Sequence, residues 1–312
     1  MADVAADLSS FSFETGLTDD EKKLLYLRAR AAGLTFCGCA HALYLCKLVK
    51  RQTETQQHQE KDLCVGILGL GHMGKQLLLS LLELTGIKPS HIKVSTRRPE
   101  SAGTLKYLFR CFFNNRRLAA WADVLFLCCL PSHLPKVCAD LHSHLSKRCL
   151  VYSFVSAVPV TRLAELLGHN FILKPQYDFV SADRYPLLIE ASCPLTMSGI
   201  LSWVCAVLYS LLNICTSAGL GSSDALSLIN SLFKEKWTHA VQLNAQSFVS
   251  SSYASSLLGD ELFSWISLTD AQSKETPLLR FLSSNKSVQQ CIAAEYKSLL
   301  DTPVMLDSYC TH

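Results

Sequence analysis

The sequence predicts an α/β protein: a Rossmann-type doubly wound parallel sheet, an all-helical region after it, and a helical extension before it. Three observations carry this. Apolar strand-like runs alternate with helical patterns between residues 63 and 178; a glycine turn follows the first run; and beyond residue 179 no further strand alternation is convincing. Strands separated by helical segments are the sequence form of βαβ units and a parallel sheet. The chain has 312 residues, 49% hydrophobic and 18% charged, enough for one large domain or two ordinary ones with a sizeable core.

Taken in order, residues 1–62 read as a helical extension ending in a polar linker. Thr18-Asp19-Asp20-Glu21 has capping-box spacing, Leu24 to Leu48 supply apolar material, and RQTETQQHQEKD (51–62) is the linker. Residues 63–178 form the sheet domain. Its strand-like runs are LCVGILGL (63–70), HIKVST (91–96), DVLFLCCL (123–130), RCLVYSFV (148–155) and NFILKP (170–175). Their continuous apolar character suits strands covered on both faces. Residues 179–312 read as helical over 194–217, 222–250 and 286–301, with Gly219–Ser222 separating the first two.

Gly69, Gly71 and Gly74 form G-x-G-x-x-G between a strand and a helix, with Leu70, His72 and Met73 in the variable positions. Gly69 permits the tight turn, Gly71 lets backbone approach a pyrophosphate at the helix N-terminus, and Gly74 allows close helix packing. This predicts a dinucleotide site. The second strand-like run ends in Thr96, where an NAD site carries Asp or Glu, and Arg97 and Arg98 follow. A carboxylate would repel a 2′-phosphate, whereas two guanidinium groups can grip it, so NADP(H) is the expected cofactor. Leu130 and Pro131 close the third run and border the same crevice, with Ser132 after them. Ser153–Ala157 closes the next and would line the nicotinamide pocket.

Composition excludes several classes. A net charge of +3, with no Lys/Arg run longer than a pair, argues against nucleic acid. The opening MADVAADLSSFSFETG has acids and no basic region before an apolar stretch, so neither a secretory nor a mitochondrial leader is expected. Fourteen cysteines in such a chain suggest reduced thiols and a cytoplasmic protein. SGILSWVCAVLYSLLNIC (198–215) is nearly long enough to span a bilayer, but Ser202, Ser210 and Asn213 interrupt it. We expect a buried helix or subunit interface there, and no membrane. Cys37, Cys39, His41 and Cys46 do not have a familiar zinc spacing, so no metal is expected.

The segments GILGLGHMG, GIKPSHIKVSTRRPE (86–100), ADVLFLCCLPSHLPKV (122–137) and LVYSFVSAVPVTRLAELLG (150–168) together resemble the pyrroline-5-carboxylate reductase family. AGLGSSDALSLINSLF (218–233) is more loosely similar to that family's dimerisation helices. The resemblance implies an NADPH-binding first domain, a helical dimerisation domain over 179–312, a homodimer or higher homo-oligomer, and hydride transfer to an imine. The chain departs from the family beyond the sheet. Lys174-Pro175-Gln176-Tyr177-Asp178 stands where the family has Met-Pro-Asn-Thr-Pro, and ETPLLRF (275–281) lacks the glycines of its late substrate motif.

The leading reading is therefore an NADP(H)-dependent oxidoreductase acting on a small imine or carbonyl substrate, with an altered substrate site. The alternative is a catalytically inactive NADPH-binding module that regulates a protein partner. No catalytic residue is assigned. Lys174, which reads as a partly exposed strand-end lysine, Gln176, His72 and His133 are the polar groups that the sequence places near the crevice.

Overall fold

The computed structural model describes residues 18–56, 62–100, 103, 109–155, 157–177, 193–195, 201–233 and 242–301. Six parallel strands make one sheet: β1 (Val65–Leu68), β2 (Ile92–Ser95), β3 (Arg110–Phe112), β4 (Val124–Leu127), β5 (Leu150–Ser153) and β6 (Ile172–Leu173), in the order β3-β2-β1-β4-β5-β6. This is a doubly wound sheet whose strand order reverses beside β1, the place where such folds bind ligands. Five strands lie within the apolar runs of the sequence. The sequence reading omits the sixth, β3, because it is three residues long and only partly buried.

The two faces of the sheet bury different cores. Ile67, Val94, Phe126 and Tyr152 point to the first face, under α2 (His72–Leu84); Leu68, Leu125, Leu127 and Val151 point to the second. The second face is covered by α3 (Asn115–Trp121), α4 (Leu134–Leu141) and α5 (Val160–Leu167). Alternate side chains of one strand serve opposite faces, so runs such as VLFL are apolar throughout.

The first face is completed by α1 (Asp19–Gln56), a helix of 38 residues and about 57 Å. Its capping box is formed: the Thr18 amide donates to Glu21 Oε2 at 2.8 Å, and the Glu21 amide to Thr18 Oγ1 at 3.3 Å. From Cys37 to Val49 every residue is buried. Lys50 Nζ donates to the Gly86 carbonyl beyond the C-terminal end of α2 (3.1 Å), while Gly38 lies against Phe154 at the carboxyl end of β5. Helix α1 therefore runs antiparallel to the strands. Its first half extends past the carboxyl edge of the sheet. The segment Ala31–Thr55 is long and apolar enough to cross a membrane, but 72% of its most apolar window is buried inside the protein.

The helical region comprises α6 (Leu201–Ser217), α7 (Ser222–Leu232), α8 (Ala245–Phe248), α9 (Ser251–Ser256), α10 (Leu268–Ser273), α11 (Pro277–Ser284) and α12 (Lys286–Asp301). The stretch read as helical over 222–250 is broken: α7 ends at Leu232, residues 234–241 lie outside the described set, and Asn244 opens α8 with its own capping box. The uncharged helix α6 is buried within the protomer from Trp203 to Asn213. Gln52 donates to the Leu211 carbonyl at 2.7 Å, and Asn213 Nδ2 donates to the Ile266 carbonyl at 2.7 Å. Its apolar surface thus needs no partner subunit to cover it.

Candidate functional site

At the carboxyl edge of the sheet, β1 passes into α2 through the glycine turn. Gly69 has φ of 100°, a left-handed conformation that glycine adopts without strain. A Cβ there would meet the Cys128 carbonyl oxygen at 2.8 Å. The Gly69 amide donates to the Ser95 carbonyl at 2.8 Å, and the Cys128 amide to the Leu68 carbonyl at 2.8 Å, tying the turn to β2 and β4. Gly71 is the N-cap of α2 and has no atom within 4 Å of where its Cβ would stand. It and His72 are exposed, Met73 is half-buried, and Leu70 and Gly74 are buried.

The first backbone N–H groups of α2 have no acceptor within the helix, and its first turn holds no acid. An open, uncapped helix N-terminus flanked by glycine is a place for an anionic group. Beside it β2 ends at Thr96, whose amide donates to the Phe112 carbonyl at 2.9 Å, and Arg97 and Arg98 are exposed directly after it. On the other flank Leu130 is 64% exposed and Pro131 is exposed. The sequence-derived positions therefore share one edge of the sheet, and they fit a dinucleotide phosphate with a further phosphate near the arginines.

A polar network behind β2, which the sequence reading misses, steadies this edge. Buried Ser95 Oγ donates to Asn115 Oδ1 at 2.8 Å and accepts from the Asn114 amide at 3.2 Å. Asn115 Nδ2 donates to Asp140 Oδ2 at 3.0 Å, linking β2, α3 and α4. Ser95 thus joins the glycine turn through its carbonyl and α3 through its hydroxyl.

At the end of β5, where the sequence expects the lining of a nicotinamide pocket, the chain is packed against α1. Ser153 is buried, its Oγ accepting from the Val155 amide at 3.2 Å. Phe154 packs on α1, where a Cβ on Gly38 would meet its Cε1 at 2.8 Å and the Tyr177 hydroxyl at 3.4 Å. Ser156 and Asp178 lie outside the described residues. His41 of α1, fully buried, stacks between Tyr177 (5.4 Å) and Trp203 (4.6 Å), with Tyr296 against its edge (6.0 Å). The extension is therefore part of the wall around the strand ends. Its signal in the sequence was FCGCAHALYLCKLV (36–49), too apolar for an exposed helix.

The polar groups of the crevice also need revision. Lys174 is buried, not partly exposed; its amide donates to Gln272 Oε1 at 2.8 Å, and burial lowers the pKa of its ammonium. The strand end is covered by α10, which closes off the solvent that the sequence reading gave this lysine. Gln176 is exposed, His72 is exposed at the head of α2, and His133 is half-buried in the turn after Pro131. None of the four is in hydrogen-bond contact with another. Cys37, Cys39, His41 and Cys46 are buried along α1, and no cluster of three or more metal-ligating side chains occurs among the described residues.

A six-stranded parallel sheet with a glycine turn at its switch point defines a Rossmann-type protein with a dinucleotide-style cradle. The model of the family described as NADP oxidoreductase, coenzyme F420-dependent, matches residues 64–156. The chain is 37% identical to the mouse (Mus musculus) NADP-dependent oxidoreductase domain-containing protein 1, over 93% of this chain and 91% of that one. It belongs to that protein's family. It is also 32% identical to the pyrroline-5-carboxylate reductase of Escherichia coli (strain K12), over 34% of this chain and 40% of that one. Among solved structures, a Coxiella burnetii pyrroline-5-carboxylate reductase aligns with 78% of this chain and 100% of its own (TM-score 0.35, 15% identity). A Plasmodium falciparum pyrroline carboxylate reductase with NADP bound aligns with 77% and 98% (TM-score 0.34, 14% identity).

Proposed function

We propose that this protein is an NADP(H)-dependent oxidoreductase that transfers a hydride to a small imine or carbonyl substrate. The observation that carries the cofactor is the open cradle at Gly71 beside a strand end bearing Thr96, Arg97 and Arg98 and no carboxylate at the ribose position. In this reading the α2 amides hold the pyrophosphate and the arginines hold the 2′-phosphate. Leu130 and Pro131 flank the crevice. The bound cofactor supplies the hydride, and Phe154 and α1 exclude water from the nicotinamide end. A cytosolic setting agrees with the cysteines, which are free thiols at every described position. A homodimer belongs to the proposal as well, and sedimentation at several concentrations tests it.

One observation favours a second reading, an NADPH-binding module without catalysis: Gly38, Phe154 and Tyr177 pack together where a substrate would approach the nicotinamide. Calorimetric titration with NADPH and then NADH tests the part common to both. Binding that strongly prefers NADPH supports the cofactor assignment, and equal or absent binding overturns it. Turnover of cyclic imines or carbonyls by the NADPH-loaded protein then decides for the enzyme; tight binding without turnover across such a panel decides for the module.

A further inference from the structure

On the second face of the sheet, toward the β3 side, three cations gather away from the glycine cradle. Lys93 and Arg110 are direct neighbours in the β2–β3 register, so their side chains rise from the same face. Lys93 Nζ stands 3.7 Å from the centre of the Trp121 ring, and the Arg117 guanidinium lies 5.6 Å over Phe112. Arg110 and Arg117 are exposed and Lys93 is half-buried. None of the three has a carboxylate partner among the described residues. Burial, then Arg110 and Arg117, holds the Lys93 ammonium below its ordinary range. Like charges held this close repel one another, and an anion placed among them relieves the repulsion.

We propose that this face docks an acidic segment of a partner protein, with Asp or Glu side chains bridging Lys93, Arg110 and Arg117. Charge complementarity selects the occupant. Two arginines present planar forks that match carboxylates, and the rings of Trp121 and Phe112 hold the Lys93 and Arg117 head groups in place. Single-stranded nucleic acid fits less well, because it needs free aromatic faces on which bases stack, and here the cations cover them. The mild net charge of +3 does not conflict with this, since the patch is local. The inference does not depend on the cofactor reading.

The test is fluorescence anisotropy of a labelled, glutamate-rich peptide titrated with the full chain at about 50 mM salt, where surface charge is weakly screened. We expect saturable binding that the triple variant Lys93→Ala, Arg110→Ala, Arg117→Ala weakens about tenfold or more. Removing three exposed cations elsewhere (Lys136→Ala, Lys147→Ala, Lys286→Ala) should leave it nearly unchanged. Should the first triple variant fold poorly by circular dichroism, Arg110→Gln with Arg117→Gln keeps Lys93 on Trp121 and tests the same face. Absence of peptide binding, equal loss in the control variant, or tighter binding of a single-stranded RNA of matching length overturns the proposal.

Discussion

The α-carbon of Gly74 approaches the Gly69 carbonyl so closely that a side-chain carbon on Gly74 would fall inside that oxygen's contact distance. The first turn of α2 is thereby wedged against the strand-to-helix turn, and no larger residue fits without moving backbone. Gly71 is the opposite case, since a methyl there meets nothing. Gly74→Ala should lower stability by about 1–3 kcal/mol through forced backbone shifts. Gly71→Ala should melt like the parent but weaken NADPH by about tenfold or more, its methyl standing where a pyrophosphate must approach. Thermal melts and calorimetry on both variants check this; unchanged NADPH affinity in a folded Gly71→Ala protein would remove the cradle assignment.

Arg97 and Arg98 follow Thr96 at the exposed end of β2. Both act on the 2′-phosphate in the proposed reading, so they matter for NADPH and not for NADH. Replacing the pair with Ala should weaken NADPH by about a hundredfold, a charge-assisted bond being worth about 1.5–3 kcal/mol, while NADH affinity changes little. A uniform loss for both nucleotides would mean that the arginines serve the phosphates generally.

His169, just after α5, gives a pH signature. Its Nε2 lies 2.8 Å from the Cys149 carbonyl oxygen, and a carbonyl only accepts, so Nε2 carries the proton. Burial lowers its pKa from 6.5, opposed in part by that hydrogen bond. The unfolded chain therefore binds a proton near pH 6.5 that the folded chain refuses. Stability from this group is complete above 6.5 and declines as pH falls from 6.5 to the lowered folded value. His169→Gln keeps a donor for Cys149 and should flatten that part of the stability–pH curve. Denaturant melts at stepped pH measure it, and an identical slope in the variant would assign the loss to other groups.

The sheet was legible because its central strands β1, β4 and β5 are buried on both faces, which makes runs such as VLFL apolar without alternation. Strand β3 was not, because Arg110–Phe112 is short and Arg110 is exposed. The turn's geometry follows from its glycines, since a left-handed residue at 69 and a close approach at 74 both exclude side chains. The role of α1 was hidden for a different reason. Its buried half is apolar all round, so it carries no amphipathic stripe to say what it packs against. Its neighbours Phe154, Tyr177 and Trp203 lie far along the chain. Ser95 and Asn115 looked like ordinary polar residues until the fold brought them together.

Gly38 and Phe154 form a close contact between α1 and the strand ends, where a Cβ on the glycine would stand 2.8 Å from the ring. Gly38→Val should push the helix off Phe154 at a cost of about 1–3 kcal/mol. The companion Phe154→Ala should open space at the nicotinamide end. If catalysis is restrained by this packing, Phe154→Ala gains turnover with small carbonyls while NADPH affinity stays near that of the parent. If Phe154 instead shields the hydride from water, NADPH oxidation without substrate rises. A variant indistinguishable from the parent in both assays would place the chemistry away from this contact.

At the other end of α1, Arg51 Nη1 lies 2.6 Å from Glu295 Oε1 of α12, with the carboxylate buried and the guanidinium half exposed. The pair pins the extension to the last described helix. Removing the arginine takes a charge-assisted hydrogen bond away from a buried carboxylate. Arg51→Ala should therefore destabilise by about 1.5–3 kcal/mol, the worth of a hydrogen bond to a charged group. Glu295→Gln, which removes the charge and keeps the shape, should cost about 1 kcal/mol. The ordering of the two is the informative result. If Glu295→Gln proves the more damaging, the carboxylate is held chiefly by groups other than Arg51, and α1 is anchored by its buried residues from Cys37 to Val49 and by the hydrogen bonds of Lys47, Lys50 and Gln52.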